Sequence, residues 1–532
     1  MTDKNVNDAT KANLSENVNI AGIDLGTTFS ALAVLNAIGK PEIVPNADGE
    51  RLTPSAIFFD EEDSGVIRVG IEAINSRRLN AERSVRWIKR HMGDAKYTKK
   101  VDNKKWTPVE LSSLILKKLK QECSAEQGQI QDAIISVPAH FDEVRRKATM
   151  DAGTMAGLNV IGIVNEPVAA ALYYATTREV SGKILVYDLG GGTFDVTIMD
   201  VNKHKMDIVC SQGDHALGGI DFDREILAIL ERRYKEKFDS ELIGSDEDRA
   251  KYEDEAEDIK KTLSRRPVAK KMLYGPAGNM RVEIKREEFE EAISSLIARA
   301  DILLEVALEE AAIKPSGIDK VLLVGGSTRI PLVQKHLEKT FGFAPETTVN
   351  VDECVALGAA LHAGLTMLRE KPEVVPAGIS GGLQDINLTD VCNHSYGTIC
   401  APIDKETGQR VIQNRIILKK NTPLPCEATQ MFYTISEGQT KLEVTITQGE
   451  DTAVEYVNKI ATHSFKLPPG RPAECPIKVT YSYDVNQRMH CKFHDLKSGS
   501  TLEVDFCLDQ NGEMSQSNVK EKAERLKAIK VK

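Results

Sequence analysis

The stretch Lys183 to Asp200, KILVYDLGGGTFDVTIMD, constrains the fold most, because two apolar runs enclose a turn suited to holding an anion. Ile184 to Tyr187 and Val196 to Met199 have the composition of buried strands. Between them stand Asp188, the glycines Gly190, Gly191 and Gly192, then Thr193 and Asp195. With no Cβ atoms in the way, successive N–H groups can converge on a phosphate. For this stretch by itself, a plain glycine-rich hairpin turn is the alternative.

A second copy shifts the balance. Ala21 to Leu35, AGIDLGTTFSALAVL, again reads strand, Asp, Leu, Gly, Thr, strand, with Asp24 in the place of Asp188 and Gly26, Thr27 and Thr28 in the place of the glycine-threonine loop. Two such hairpins about 160 residues apart point to an internal duplication, with two like domains facing each other across a cleft. No GxGxxG and no GxxxxGK[ST] occurs, so a nucleotide would have to be held by neither a Rossmann fold nor a P-loop.

Composition narrows the class. The 532 residues suffice for two to four domains, and 41% hydrophobic residues supply their cores. The formal charge of -10 argues against nucleic acid as a partner. No run approaches the ~18 to 20 apolar residues that span a bilayer, so no membrane association is expected. Residues 1–18 read as a disordered polar tail. Nine scattered cysteines without a CxxC fit a reducing cytoplasm. Zinc around His490, Cys491 and His494 is disfavoured: on a strand, 490 and 494 share one face and Cys491 takes the other.

The chain between these landmarks alternates strands and helices. Strands are expected at 133–137 and 160–164, and helices at 107–121, 145–158, 168–175, 246–264 and 350–364, the last with alanines and glycines that allow close packing. Lys89 falls in a charged segment ending in RWIKRHMGD, where a solvated helix lysine is the ordinary reading. Glu166 stands at a strand-to-helix junction, and Glu257, Lys260 and Ser264 lie near one helical face. Residues 372–387 show no helical period and mark the domain boundary. Alternating segments from Cys392 to Cys507 predict an antiparallel β-sandwich, and Ser515 to Lys530 one helix with Val519, Ala523 and Leu526 on one side.

The three sequences IDLGTT, VYDLGGGTFD and VGGSTRIP, with NEPVAAA and LGGIDFD between them, resemble the phosphate and adenosine signatures of the heat-shock-70 (DnaK-type) chaperones over residues 20–530. The short, lidless bacterial HscC-like subgroup is similar at Thr389-Asp390-Val391-Cys392. The resemblance implies an α/β actin-like (duplicated ribonuclease-H-like) ATPase domain over 19–383. It further implies an interdomain linker at 384–391, a β-sandwich substrate-binding domain at 392–508 and a short C-terminal helix at 515–530. The implied activity is that of an ATP-dependent chaperone of the stress response that binds extended apolar peptide; an actin-like ATPase acting as a regulator-binding switch is the alternative.

On the same resemblance, Asp24 and Asp188 orient Mg²⁺ largely through its waters, and Lys89 faces the γ-phosphate. Gly26, Thr27, Thr28, Gly190, Gly191, Gly192 and Thr193 cradle the phosphates. Glu166 and Asp195 match the acids associated with the attacking water and with the metal and K⁺ sites. Glu257, Lys260 and Ser264 match one wall of an adenosine pocket, and Gly325, Gly326, Ser327, Arg329 and Asp352 the other. Pro138, Arg146 and Asp390 take allosteric positions. Phe432, Ile435, Leu442 and Val444 fall near the peptide groove.

Three departures stand out. The linker, Asp385-Ile386-Asn387-Leu388-Thr389-Asp390, is less apolar than the family's leucine-rich version, so weaker or differently regulated docking is expected. Gly162 stands where the family usually carries an arginine that touches J-domain co-chaperones, which puts such a partner in question. The length after the sandwich suggests no helical-bundle lid, hence fast peptide exchange with ADP bound.

Overall fold

The computed structural model describes residues 20–505, except 62–64, 79, 128–129, 179, 204 and 348–349, together with 516–532. The expected tail at 1–18 and the end of the last expected strand at Cys507 lie outside the described residues.

The duplicated hairpins become the middles of two sheets. In the first, the order is Asn159–Asn165, Asp132–Val137, Ile20–Asp24, Phe29–Leu35, Pro41–Ile43. The second runs Lys320–Val324, Ser181–Leu189, Phe194–Asn202, Lys205–Asp214, Asn387–Thr389. Each is a three-stranded antiparallel meander extended in parallel beside its first member, by two strands in the first sheet and by one in the second, where Asn387–Thr389 adds a parallel strand beside the last member. Burial on both faces explains why Ile20–Asp24 and Ile184–Leu189 read as continuous apolar runs rather than alternating ones.

Between the sheets lie the helices Glu166–Thr177 and Cys354–Glu370, sharing one core with Ala33, Ile134 and Val164 of the first sheet and Val186, Met199 and Leu322 of the second. The alanines and glycines of residues 354–364 permit the expected close packing, since a Cβ at Gly358 would overlap the Ala169 carbonyl. The outer faces are covered by Pro108–Gln127 and Glu143–Met155 on one side and by Gly219–Phe238 and Ser294–Glu310 on the other.

Residues 372–387 differ from expectation, for they hold a short helix, Ala377–Leu383. Its glycines hide the helical pattern, and they are needed because it lies against a turn: a Cβ at Gly378 would overlap the Ala37 carbonyl. The next residues form the edge strand Asn387–Thr389, with Met206 opposite Leu388 in parallel register. The segment expected to serve as linker is therefore held by backbone pairing, which its polar side chains do not prevent.

The β-rich region packs two four-stranded sheets, one of Gln413–Leu418, Tyr396–Cys400, Lys441–Gln448 and Asn458–Lys466, the other of Cys426–Tyr433, Pro476–Tyr483, Met489–Asp495 and Thr501–Asp505. Tyr396, Ile446, Phe465, Tyr481 and Phe493 fill the space between them. In Met489–Asp495 Cys491 is buried while His490 and His494 are half-buried on the other face.

The C-terminal helix ends at Lys527, three residues earlier than expected, and is followed by a strand, Lys530–Val531, parallel to Val66–Ile67. This segment packs on the first lobe, with Val519, Leu526 and Val531 joining the core beneath Trp106 and Leu116. Glu110, 1% exposed, accepts from the Arg525 guanidinium. The Lys117 ammonium donates to the carbonyls of Leu526 and Ile529, both at 2.7 Å, supplying positive charge where the helix carbonyls end. Since Leu526 is fully buried, Leu526→Ala is expected to remove about 2–5 kcal/mol of docking. Hydrogen exchange of residues 516–531 should then accelerate more than tenfold while the β-sandwich keeps its protection; unchanged exchange would show that other contacts hold the segment.

Candidate functional site

Both glycine-threonine loops open onto one cavity of about 500 Å³ between the lobes. Asp24, Gly26, Thr27 and Thr28 approach from the first sheet, and Asp188, Gly190, Gly191 and Thr193 from the second. The second loop is closed by the Gly190 N–H donating to the Thr193 carbonyl at 3.0 Å. It is buttressed by the Ser327 hydroxyl, which donates to the Gly190 carbonyl at 2.9 Å. The loops touch, for a Cβ at Gly191 would overlap the Thr28 hydroxyl. Gly192 does not line the cavity; its carbonyl instead accepts from Arg90 Nε at 3.0 Å.

The floor carries Lys89 ion-paired to Glu166, with Asp24 and Asp188 beside them. Lys89 is 4% exposed in a 3₁₀ turn, Ile88–His91, entered through Trp87 in the left-handed region at φ 60°, so it is no solvated helix lysine. Asp195 does not reach the cavity surface; it lies directly across the hairpin from Asp188 and accepts from the His140 N–H at 3.1 Å. Asp24 accepts from the Ser136 hydroxyl at 2.8 Å.

Burial, and then the charge of Glu166, pushes the Asp24 carboxyl up to about 7. Asp188 and Asp195 are raised as well, by burial first and by neighbouring acids second. Burial would lower the Lys89 ammonium, but Glu166, Asp24 and Asp188 outweigh it and raise it. Four carboxylates thus share one lysine, an arrangement that favours a further cation. Among the described residues no three His, Cys, Asp or Glu side chains converge tightly enough to enclose a metal ion. Hard oxygen donors without an enclosing cage suit an ion that keeps most of its waters, as Mg²⁺ does.

Glu257, Lys260 and Ser264 form one side wall, and Gly325, Gly326, Ser327, Arg329 and Asp352 another. Lys260 donates to the Gly219 carbonyl and to Asp223, both at 2.8 Å, and Arg329 pairs with Asp352 at 2.6 Å. Burial would raise the Glu257 carboxyl, but Lys261 and Arg86 hold it down at about 2. Sequence reasoning missed Arg77 and Arg86 of the first lobe. They cross the cleft mouth to Asp254 at 2.7 and 2.9 Å, and Arg86 reaches Glu257 at 2.9 Å. No local pattern marks these pairs, because the partners are about 170 residues apart.

A polar cluster connects this floor to the β-sandwich. Arg146, 1% exposed, donates to the carbonyls of Phe141 and Ala139 at 2.9 and 3.0 Å, to Asn165 at 2.8 Å, and to Gln487. It thereby braces the turn after Pro138, whose own carbonyl accepts from the Phe141 N–H at 3.1 Å. Asp390 accepts from Gln487, from its neighbour Val391 N–H at 2.8 Å and from Asn165 at 3.3 Å. Glu143 also escaped the sequence reading; it accepts from the hydroxyls of Tyr396 and Tyr483, each at 2.7 Å. Gly162 lies under Asn486 of the sandwich, where an added Cβ would already stand 3.5 Å from the Asn486 Cβ.

The four candidate groove residues are not brought to one surface. Ile435 is exposed and Phe432 half-buried, whereas Leu442 packs on the sandwich core and Val444 is inside it at 4% exposure. Alternation along Lys441–Gln448 turns Val444 and Ile446 inward together. Met431 and Tyr433, exposed on the strand that carries Phe432, were not singled out.

No helix among the described residues is long and apolar enough to cross a membrane. The family model described as Hsp70 protein matches residues 20–530. Chaperone protein DnaK of Thermotoga neapolitana is 36% identical over 521 residues, covering 96% of this chain and 83% of the relative. The DnaK proteins of Thermotoga petrophila and Thermotoga maritima match to the same extent.

Since burial disfavours the ionised Asp188, Asp188→Asn should stabilise the ligand-free protein, raising Tm by about 1–2 °C for each kcal/mol relieved. A raised native pKa means that stability falls as pH rises, so the gain should shrink as pH falls. Calorimetry without nucleotide or divalent cation, at pH 8 and below, reads both; a lowered Tm at pH 8 would contradict the electrostatic account.

Proposed function

The chain belongs to the Hsp70 family of ATP-dependent, peptide-binding chaperones, and on that premise we propose how its own residues carry out the ATPase cycle and report it to the β-sandwich. The observation that supports the reading most is the meeting of Lys89, Glu166 and both duplicated loops in one cavity.

Thr27, Thr28 and the Gly190–Thr193 turn present N–H and hydroxyl donors to the phosphates, while Gly325 to Ser327 and the Glu257–Ser264 face hold the adenosine between them. Asp24 and Asp188 are the acids that would hold a hydrated magnesium ion, which neutralises charge building on the phosphate oxygens. Glu166 and Asp195 are the acids available to a potassium ion. The Lys89 ammonium, freed from its pairing with Glu166, neutralises the γ-phosphate. Glu166 then accepts a hydrogen bond from the water that attacks in line, and phosphoryl transfer proceeds mainly by positioning and charge neutralisation.

The Lys89–Glu166 pair adjoins the domain interface through the peptide bond between Asn165 and Glu166. A shift of Glu166 on hydrolysis moves Asn165, and with it the hydrogen bonds to Arg146 and Asp390. The β-sandwich takes extended apolar peptide by β-type pairing, with Phe432 and Ile435 beside it and Leu442 and Val444 in support. Gly162, covered by Asn486, leaves no surface there for a J-domain arginine contact, so any J-domain partner would need other residues. Thr389 to Cys392 favours an HscC-like placement within the family, and the scattered cysteines favour the cytoplasm.

Lys89→Ala should lower ATP turnover ~10² to 10³-fold in a single-turnover assay while ADP affinity changes only a few-fold. Full activity would remove Lys89 from the mechanism. Gln487→Ala cuts the bonds to Arg146 and Asp390 at a distance from the nucleotide. Stimulation of ATP turnover by an apolar peptide should then fall severalfold with the basal rate retained, and equal stimulation would place the coupling elsewhere.

A further inference from the structure

At the point where the linker enters the sandwich, two thiols face each other. Cys392 Sγ and Cys426 Sγ are 3.7 Å apart, across 34 residues of chain. Their backbones are already held in register: the Cys392 N–H donates to the Thr422 carbonyl at 2.9 Å, the Leu424 N–H to the Asp390 carbonyl at 2.8 Å, and Val391 bridges Pro423. Cys392 is fully buried, whereas Cys426, at the start of the strand Cys426–Tyr433, is partly open to solvent.

We propose that Cys392 and Cys426 form a reversible disulfide-forming pair that reacts with hydrogen peroxide or an organic hydroperoxide, and that the bond staples the exit of the linker to the root of the strand Cys426–Tyr433. Closing the pair to the ~2.05 Å of an S–S bond asks for less than about 2 Å of sulfur movement, within reach of rotamer and small backbone adjustment.

The two thiols are unequally open to solvent, which assigns their roles: Cys426 is partly accessible to a peroxide and Cys392 is buried behind it. The contact between the two sulfurs supports the same order, since it lowers the Cys426 thiol and raises Cys392. The Cys426 thiolate attacks the nearer peroxide oxygen; the O–O bond breaks, and the departing oxygen takes a proton and leaves as water or an alcohol. Cys426 is now a sulfenic acid. The Cys392 sulfur then attacks the Cys426 sulfur, loses its proton, and the sulfenic oxygen leaves as water. Two thiols and one hydroperoxide thus give one disulfide, one water and one water or alcohol, and a dithiol reductant reverses the bond formation.

Location gives the bond a consequence. Cys392 is two residues from Asp390, whose carboxylate is shared by Asn165 and Gln487 at the domain interface. Half-exposed Cys400 provides an internal comparison, because burial raises its thiol and, among the described residues, no sulfur is bonded to it.

The full-length protein is treated with one to five equivalents of hydrogen peroxide, quenched and digested without reduction for mass spectrometry. The expected result is a Cys392–Cys426 cross-linked peptide, lost on dithiothreitol, with Cys426 reacting about tenfold faster than Cys400. Cys392→Ser should abolish the cross-link and leave Cys426 as sulfenic acid trapped by dimedone, and Cys426→Ser should protect Cys392. Basal ATP turnover of both variants checks that they fold. Over-oxidation of Cys426 with no cross-link, or equal reaction at Cys400, would overturn the proposal.

Discussion

The buried guanidinium of Arg146 is the interaction on which the two-domain arrangement rests. Its donors are divided among the turn after Pro138, Asn165 at the end of a central strand, and Gln487 of the β-sandwich. A charged group this deep is tolerated only when its hydrogen bonds are filled, so each partner is held in place by the cost of leaving it unpaired. Glu143, beside it, fastens Tyr396 and Tyr483 in the same way. The interface is therefore polar and all-or-none rather than greasy and gradual, a property suited to two discrete arrangements.

A similar tension exists on the cleft floor. Asp188, Asp195 and Glu166 are buried beside the half-buried Asp24, and among the described residues Lys89 is the cation that balances them. Such a cluster of carboxyl groups is electrostatically unfavourable by itself, and added positive charge relieves it. Cross-cleft pairs from Arg77 and Arg86 to Asp254 tie the two lobes together beside this cluster.

Much of this was legible in the residues. The duplicated Asp-Leu-Gly-Thr hairpins announce two facing sheets because burial on both faces leaves unbroken apolar strands, and their loops need glycine for contact. Other parts were hidden for definite reasons. Ala377–Leu383 is a helix whose glycines serve close approach and so erase the period. Lys89 looks like any surface lysine until the partner acids, far away in sequence, are brought to it. Arg86, Glu143 and Gln487 act through partners that no local spacing encodes. Val444 alternates like a groove residue, yet alternation alone does not say which face is the core.

The strand Lys530–Val531 has a meaning beyond its own small area. It pairs with Val66–Ile67, the strand that otherwise ends the sheet containing Ala56–Phe59 and Ser84–Arg86. A bare β-edge carrying Val66, Ile67 and Val69 offers unpaired N–H and C=O groups beside apolar side chains, a ready template for joining another molecule. By occupying that edge with Lys530–Val531, the protein covers those groups, so the capping of the sheet and the seating of the helix Gln516–Lys527 are set by the same few hydrogen bonds.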